Sequence, residues 1–275
     1  MLESDIKITV ESQAISHRFW LNDGTRILPE AEAAARNYVK GAFLPKQDWR
    51  LANSIELERL TDASGSWDLG KHIGIVKIPD ELMQPLWQTV RLAPPSSEGA
   101  PNNQPATQDL CSYLQQSYAI YDNEIKPLGM HHSQPGLVTT TVDTLRERLR
   151  TPLVGLHLDS WENAPLRRRH LSNNRICINI GEGDRYFLLI NLSLAKIFDL
   201  LRLSPRDLSK HYRGTQLPAL FMQQFPDYPV VKMALAPNEA YIAPTENIIH
   251  DASTQGKQEL DLSLTFLGKF GLAET

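Results

Sequence analysis

The chain has 275 residues, with 28 Lys and Arg against 32 Asp and Glu and a formal charge of −4 at pH 7. A chain of that length buries a sizeable core without help from disulfides, and its slight acidity excludes the global basic field that recruits nucleic acid. Charged residues at 22% and hydrophobic ones at 41% place it among ordinary globular chains.

In chain order, Ile6 to Val10 is expected to open the fold as a short strand. "PEAEAAARNYVKGAF" then predicts a helix, with Pro29 at its start and Gly41 past its end. "KHIGIVKIP" predicts a strand, and "DELMQPLWQTVRLA" a short helix strained or broken at Pro85. The stretch from Pro94 to Gln108, rich in Pro, Ser, Asn and Gly, predicts a surface loop. Beyond it, Leu110, Tyr113, Leu114 and Tyr118 fall at helical spacing within 109–125, and 141–150 predicts another helix capped by Thr141 or Asp143. "MHHSQPG", with adjacent His131 and His132, reads as a polar loop.

From Thr151 the texture changes. "PLVGLHLDSW", "RICINIG", "RYFLLINLS", "VVKMALAPNEAYIAP" and "DLSLTFLGKF" predict strands, with "SLAKIFDLL" and "SPRDLSKHY" as helices between them. "NIGEGDRY" reads as a hairpin turn, because a phosphate cradle needs a helix after its glycines. One domain over 1–275 is the preferred reading. The most apolar run, "YFLLINLSLAKIFDLLRL", is interrupted by Asn191, Ser193, Lys196 and Asp199, which disfavours a membrane span. Cys111 and Cys177 lack metal-type spacing, and the first residues lack a basic-then-apolar leader, so a cytoplasmic protein is expected.

The chemistry concentrates in "GLHLDSW". In an extended chain, residues two apart share a face, so His157 and Asp159 point into one space while Leu156 and Leu158 point away. An imidazole and a carboxylate facing an interior need a partner, and a divalent metal satisfies both. His250, which follows Ile248 and Ile249, supplies a third ligand. Two His and one carboxylate leave half of an octahedron open, the arrangement suited to Fe(II) that must take oxygen and a co-substrate together. The competing reading is a buried His–Asp hydrogen bond without metal.

This H-x-D with a distant His, over roughly 153–270, resembles the Fe(II)- and 2-oxoglutarate-dependent dioxygenases of the double-stranded β-helix, or cupin-like, class. The resemblance implies an α+β fold: a jelly-roll core of about eight strands over 151–270, with 1–150 as a mixed N-terminal cover whose helices pack on one sheet. It implies Fe(II) and 2-oxoglutarate as cofactors, with His157, Asp159 and His250 as metal ligands and catalytic centre. Molecular oxygen and a small-molecule or peptide substrate are the partners. The activity implied is hydroxylation of a small polar substrate, an amino acid free or within a peptide. Because Asp159 keeps the carboxylate, hydroxylation outranks halogenation.

In that family an arginine about ten residues after the distal His, with Ser or Thr two places on, binds the far carboxylate of 2-oxoglutarate. Here Ser263 fits the hydroxyl position, but Asp261 stands where the arginine is expected. Alternation turns Arg175, Cys177 and Asn179, and likewise Asp261, Ser263 and Thr265, toward the barrel interior, with Ile176, Ile178 and Ile180 facing out. Arg175 or Arg185 is then the substitute cation, assisted by Ser263 and Asn179, as in the relatives that draw it from a strand soon after H-x-D. An Arg175–Asp261 ion pair of purely structural role competes with this. Trp161, Asn163 and Asp261 are the expected substrate-side residues, and the "RRRH" run at 167–170 is either an attractor for an acidic substrate or a solvated loop. Two alternatives stay open: a cupin-type metal enzyme that does not use 2-oxoglutarate, and a binding barrel without turnover.

Overall fold

The computed structural model describes residues 2–11, 15, 17–62, 66–92, 105–121, 124–143 and 151–272. The first half contains β1 (Lys7–Val10), β2 (Phe19–Leu21), β3 (Thr25–Ile27), α1 (Glu30–Ala35), β4 (Phe43–Pro45), β5 (Arg50–Leu51) and α2 (Ser54–Leu60). β6 (His72–Lys77), α3 (Asp80–Leu92), α4 (Pro105–Ser117) and β7 (Lys126–Ser133) follow. A 3₁₀ helix at Leu166–Leu171 leads to β8 (Asn174–Asn179), β9 (Arg185–Ser193), α5 (Leu194–Leu200), α6 (Pro205–Lys210) and α7 (Leu217–Gln224). The chain ends in β10 (Val231–Leu235), β11 (Glu239–Ala243), β12 (Ile248–Ser253) and β13 (Asp261–Gly268).

Two sheets carry the fold, one ordered β1-β6-β11-β8-β13-β7 and the other β12-β9-β10-β2-β5. Their facing sides share one core, in which Ile8, Ile73, Ile75, Cys177 and Tyr241 meet Phe187, Leu189, Val231 and Met233. Sheet packing of this kind buries alternate residues of every strand. Ile176, Ile178 and Leu264 accordingly turn outward against Met83, Leu86, Leu110 and Leu114 of α3 and α4. On the other sheet Leu188 and Ile190 turn outward against Ile197, Leu217 and Phe221 of α5 and α7. A mixed α+β arrangement of two facing sheets, with helices on their outer sides, results.

The N-terminal half is more than a cover. β6 sits between β1 and β11, and β2 between β10 and β5; the apolar run of β6 is buried in five of its six positions, as an inner strand requires. A core confined to 151–270 would leave β11 and β10 as open edges.

Local differences have local causes. The 180–184 connection is no hairpin: β8 pairs with β11 and β13 while β9 pairs with β10 and β12, so it is a corner between sheets. α1 stops at Ala35, and Asn37 follows at φ 56, a left-handed conformation that ends a helix. α3 continues through Pro85, where one main-chain bond is lost while Met83 and Leu86 stay anchored in the core. Pro105 to Gln108 open α4 instead of closing a loop, while 93–104 lie outside the described residues. Of the helix expected at 141–150, residues 144–150 also lie outside them, and Val142 makes an antiparallel bridge to Leu153. "MHHS" is strand, the outer part of β7, where His131 pairs with Ser263. Among the described residues, no helix is long and apolar enough to cross a membrane.

Candidate metal centre

The segment bearing His157 and Asp159 belongs to neither ladder. It enters past Gly155 at φ 80, where a Cβ would lie 2.6 Å from the Phe43 carbonyl, so only glycine fits this close approach. Leu156 N then donates to Phe43 O at 2.8 Å. His157 forms one isolated antiparallel bridge with His250 of β12, and Asp159 N donates to Thr245 O at 3.1 Å. The expected strand is therefore reduced to isolated rungs at Leu153 and His157, yet the two-residue spacing still turns both side chains into one space.

His157 Nε2 lies 3.6 Å from Asp159 Oδ1, and His250 Nε2 3.7 Å from Asp159 Oδ2. One ligand atom from each of the three residues falls within 4.8 Å of the others. His157 Nδ1 faces Gly155 O at 2.9 Å and His250 Nδ1 faces Ile248 O at 3.2 Å. A carbonyl only accepts, so each Nδ1 carries a proton and a neutral ring keeps its lone pair on Nε2, aimed at the shared point. Two nitrogens and one carboxylate fit Fe(II), with positions left for other ligands.

Electrostatics follow the geometry. Burial pulls the His157 ring down, but Asp159 and Asp251 beside it push it up to about 10. Burial, with His157 and Arg175 nearby, takes His250 down to about 4 against the pull of Asp159. Burial opposes ionisation of Asp159, yet Arg175 and the imidazoles hold its carboxyl well below the usual carboxylate range. Arg175 Nη2 is 2.8 Å from Asp159 Oδ2, an ion pair not aligned as a hydrogen bond, so Oδ2 has no directed donor.

Asp261 pairs with Arg185 instead of Arg175: Arg185 Nη1 donates to its Oδ2 at 2.6 Å, and Lys257 Nζ to its Oδ1 at 3.1 Å. Among the described residues, three buried donor atoms on the inward faces have no hydrogen-bond partner, namely Arg175 Nε, Arg185 Nε and the Ser263 hydroxyl. Such donors, on two guanidiniums and a hydroxyl, fit an anion. Asn179 is different. Its amide nitrogen donates to Gly183 O and Leu235 O at 3.0 and 2.9 Å, while its oxygen accepts from Gly181 N, so it ties down the corner and has no donor left for a co-substrate.

Trp161 is 58% exposed and lies 5.8 Å from the Arg175 guanidinium, over its ring face. Asn163 is exposed at φ 50 and its carbonyl accepts from Arg213. Two surface clefts of about 240 and 760 Å³ share Glu162, Arg168 and Leu171, and none of the three candidate ligands lines either.

Sequence reasoning missed two residues. Asp251 is fully buried, and its Oδ2 stands 3.4 Å from His157 Nδ1; a carboxylate behind a ligating imidazole orients it. Alternation put Asp251 on the face opposite His250, and the contact exists only because the H-x-D segment lies beside that edge. Lys257 holds Asp261 and also donates to Asp184 O at 2.8 Å; its place in a polar turn gave no sign of burial.

No family model matches the chain, and comparison with curated proteins finds no match. Among solved structures, similarity is found to the apo Kdo hydroxylase KdoO, a non-heme Fe(II) alphaketoglutarate dependent dioxygenase. The TM-score is 0.41 with 14% identity, over 74% of this chain and 81% of that one. KdoO in complex with alphaketoglutarate and Fe(III) gives 0.37 and 14% over 74% and 81%. A variant of the iron and alpha-ketoglutarate-dependent endoperoxidase NvfI gives 0.36 and 12%, over 92% and 99%. KdoO and NvfI are both iron- and alpha-ketoglutarate-dependent enzymes. Likeness at this level assigns neither a substrate nor any residue's role, and the chemistry of the site rests on its own geometry.

Proposed function

We propose that the chain is a non-haem Fe(II), 2-oxoglutarate-dependent hydroxylase of a small polar substrate, an amino acid free or within a peptide. The observation that carries this is the convergence of His157, Asp159 and His250 within 4.8 Å, with both Nδ1 atoms tied to carbonyls. Bound there, the metal and keto acid supply activation of oxygen, conversion of the keto acid to succinate and carbon dioxide, and oxidation of a substrate C–H bond.

The residues of the chain position and exclude. His157, Asp159 and His250 hold the metal, and Arg175 keeps Asp159 ionised and in place. Arg185 and Ser263 receive the far carboxylate of the keto acid through the donors that have no partner. The buried Phe187 ring lies 5.6 Å from the His250 ring and is backed by buried Tyr241 at 4.2 Å, which keeps water from behind it. Trp161 over Arg175 gives a polar substrate a flat wall with a cation beneath it.

Anaerobic Fe(II) loading followed by 2-oxoglutarate is expected to raise the visible band of an Fe(II)–keto acid complex and, with oxygen, to release succinate; Asp159→Ala is expected to do neither. Absence of metal binding by the parent chain overturns the reading. A metal enzyme without the keto acid is the second reading, favoured by Asp261 already engaging Arg185 at 2.6 Å. Oxygen consumption that does not depend on keto acid would establish it instead.

A further inference from the structure

The "RRRH" run splits by burial. Arg167, Arg168 and His170 are exposed, whereas the Arg169 side chain is fully buried, as is Glu246 at 1%. A guanidinium shut away from water needs several acceptors, and this one has them from three segments. Arg169 Nη1 donates to Asp159 O at 2.9 Å and to Glu246 Oε2 at 3.2 Å. Its Nη2 donates to Ser160 Oγ at 2.9 Å and its Nε to Arg213 O at 3.1 Å. Glu246 completes the node by accepting from Glu162 N at 2.7 Å.

The node sits where the sheet gives no support. β12 holds His250 opposite Leu189 of β9, just past a register shift between Ile248 and His250, and His157 is held to His250 by the rung N–H···O bonds of 3.1 and 2.9 Å. Asp159 has no ladder partner. Its backbone is fixed at N by Thr245 O and at O by Arg169, and Thr245 and Glu246 belong to the loop that delivers His250.

From this we infer that Arg169, paired with Glu246, is a positioning residue for the metal centre: it locks the backbone of Asp159 to the loop before β12 and so sets the carboxylate at the distance both imidazoles require. The inference rests on the metal-site reading above and adds to it residues that touch no ligand atom. Losing such support from outside the ligand set costs roughly 10–100-fold in metal affinity.

The test is Co(II) titration followed by visible absorption, with metal-free melting as a check on folding. The parent chain is expected to bind Co(II). Arg169→Lys and Glu246→Gln are expected to weaken binding at least about tenfold and to change the Co(II) spectrum, since the two histidines remain while the carboxylate moves. In an Asp159→Ala background, titrated at the higher Co(II) concentrations that its two remaining histidines require, the same substitutions are expected to change the affinity less than about twofold, because Arg169 acts through Asp159. Ser160→Ala, which removes one acceptor and leaves the pair intact, covers the case in which the charged variants do not fold; a spectral change of the same kind, in smaller measure, is expected. Unaltered affinity and spectrum in every folded variant overturn the inference while leaving the metal site standing. A parent chain that binds no Co(II) overturns both.

Discussion

His157 and His250 are joined by a single antiparallel rung, with their rings 4.8 Å apart and each Nδ1 held by the carbonyl two residues before it. Two ligands that lie far apart in sequence are thus set in matching tautomers by the same local device. Both tautomers are fixed by the chain's own carbonyls, so metal bound by the folded chain is expected to add to its stability. With free metal at about a hundredfold excess over the dissociation constant, the expected gain is about 2.7 kcal/mol. The melting temperature of anaerobic Fe(II)- or Co(II)-loaded protein is expected to rise accordingly and to return on chelation. His157→Ala, Asp159→Ala and His250→Ala are expected to abolish the rise.

Asp251 Oδ1 accepts from Thr140 N and Thr141 N at 3.1 Å each, while Oδ2, with no hydrogen bond of its own among the described residues, sets its charge 3.4 Å from His157 Nδ1. Asp251→Asn keeps the volume and removes the charge behind the ring. The expected outcome is a metal dissociation constant about 10–100-fold higher, read by Co(II) titration, with the keto acid affinity of the loaded protein changed far less.

The candidate centre was legible because its signals are local. His157 and Asp159 are two apart, and the alternating isoleucines of β8 fix which side chains turn inward. Long-range pairing was not legible. β6 read as an ordinary strand and β2 gave no signal of its own, and nothing in their residues tells which sheet receives them. The choice between Arg175 and Arg185 as the partner of Asp261 stayed open for the same reason: both are inward, and only the 180–184 corner, which sends β9 to the opposite sheet, brings Arg185 against β13. Arg169 hid within three exposed neighbours, where a charge run gives no sign of which member is buried.

Asp261 serves two buried cations at once, Arg185 and Lys257, with side-chain exposures of 1%, 8% and 4% respectively. Asp261→Asn leaves both charges uncompensated, and the expected loss is about 3–5 kcal/mol. If Arg185 also receives the far carboxylate of the keto acid, an added dianion replaces part of what Asp261 supplied. Thermal melts of metal-loaded protein are then expected to show a larger stabilisation by 2-oxoglutarate in Asp261→Asn than in the parent chain. An equal or smaller stabilisation would count against Arg185 as the carboxylate residue.

Acid sensitivity is expected from a pair away from the metal. Arg18 reaches from the strand β2 side to Glu239 of β11 with bonds of 2.6 and 2.7 Å, bridging the two sheets. Burial opposes ionisation of Glu239, but Arg18 and the Ala236 N–H hold its carboxyl below 4.5. A depressed folded-state value means the pair contributes fully above pH 4.5, progressively less as the pH falls toward the folded-state value, and nothing below it. At pH 7 Glu239→Gln is expected to cost about 1.5–3 kcal/mol by urea denaturation. The difference between parent and variant is expected to shrink as the pH drops below 4.5, since protonation then removes from the parent the charge that the substitution has already removed; a gap that stays constant down to acid unfolding would show that Glu239 acts through packing and not through its charge.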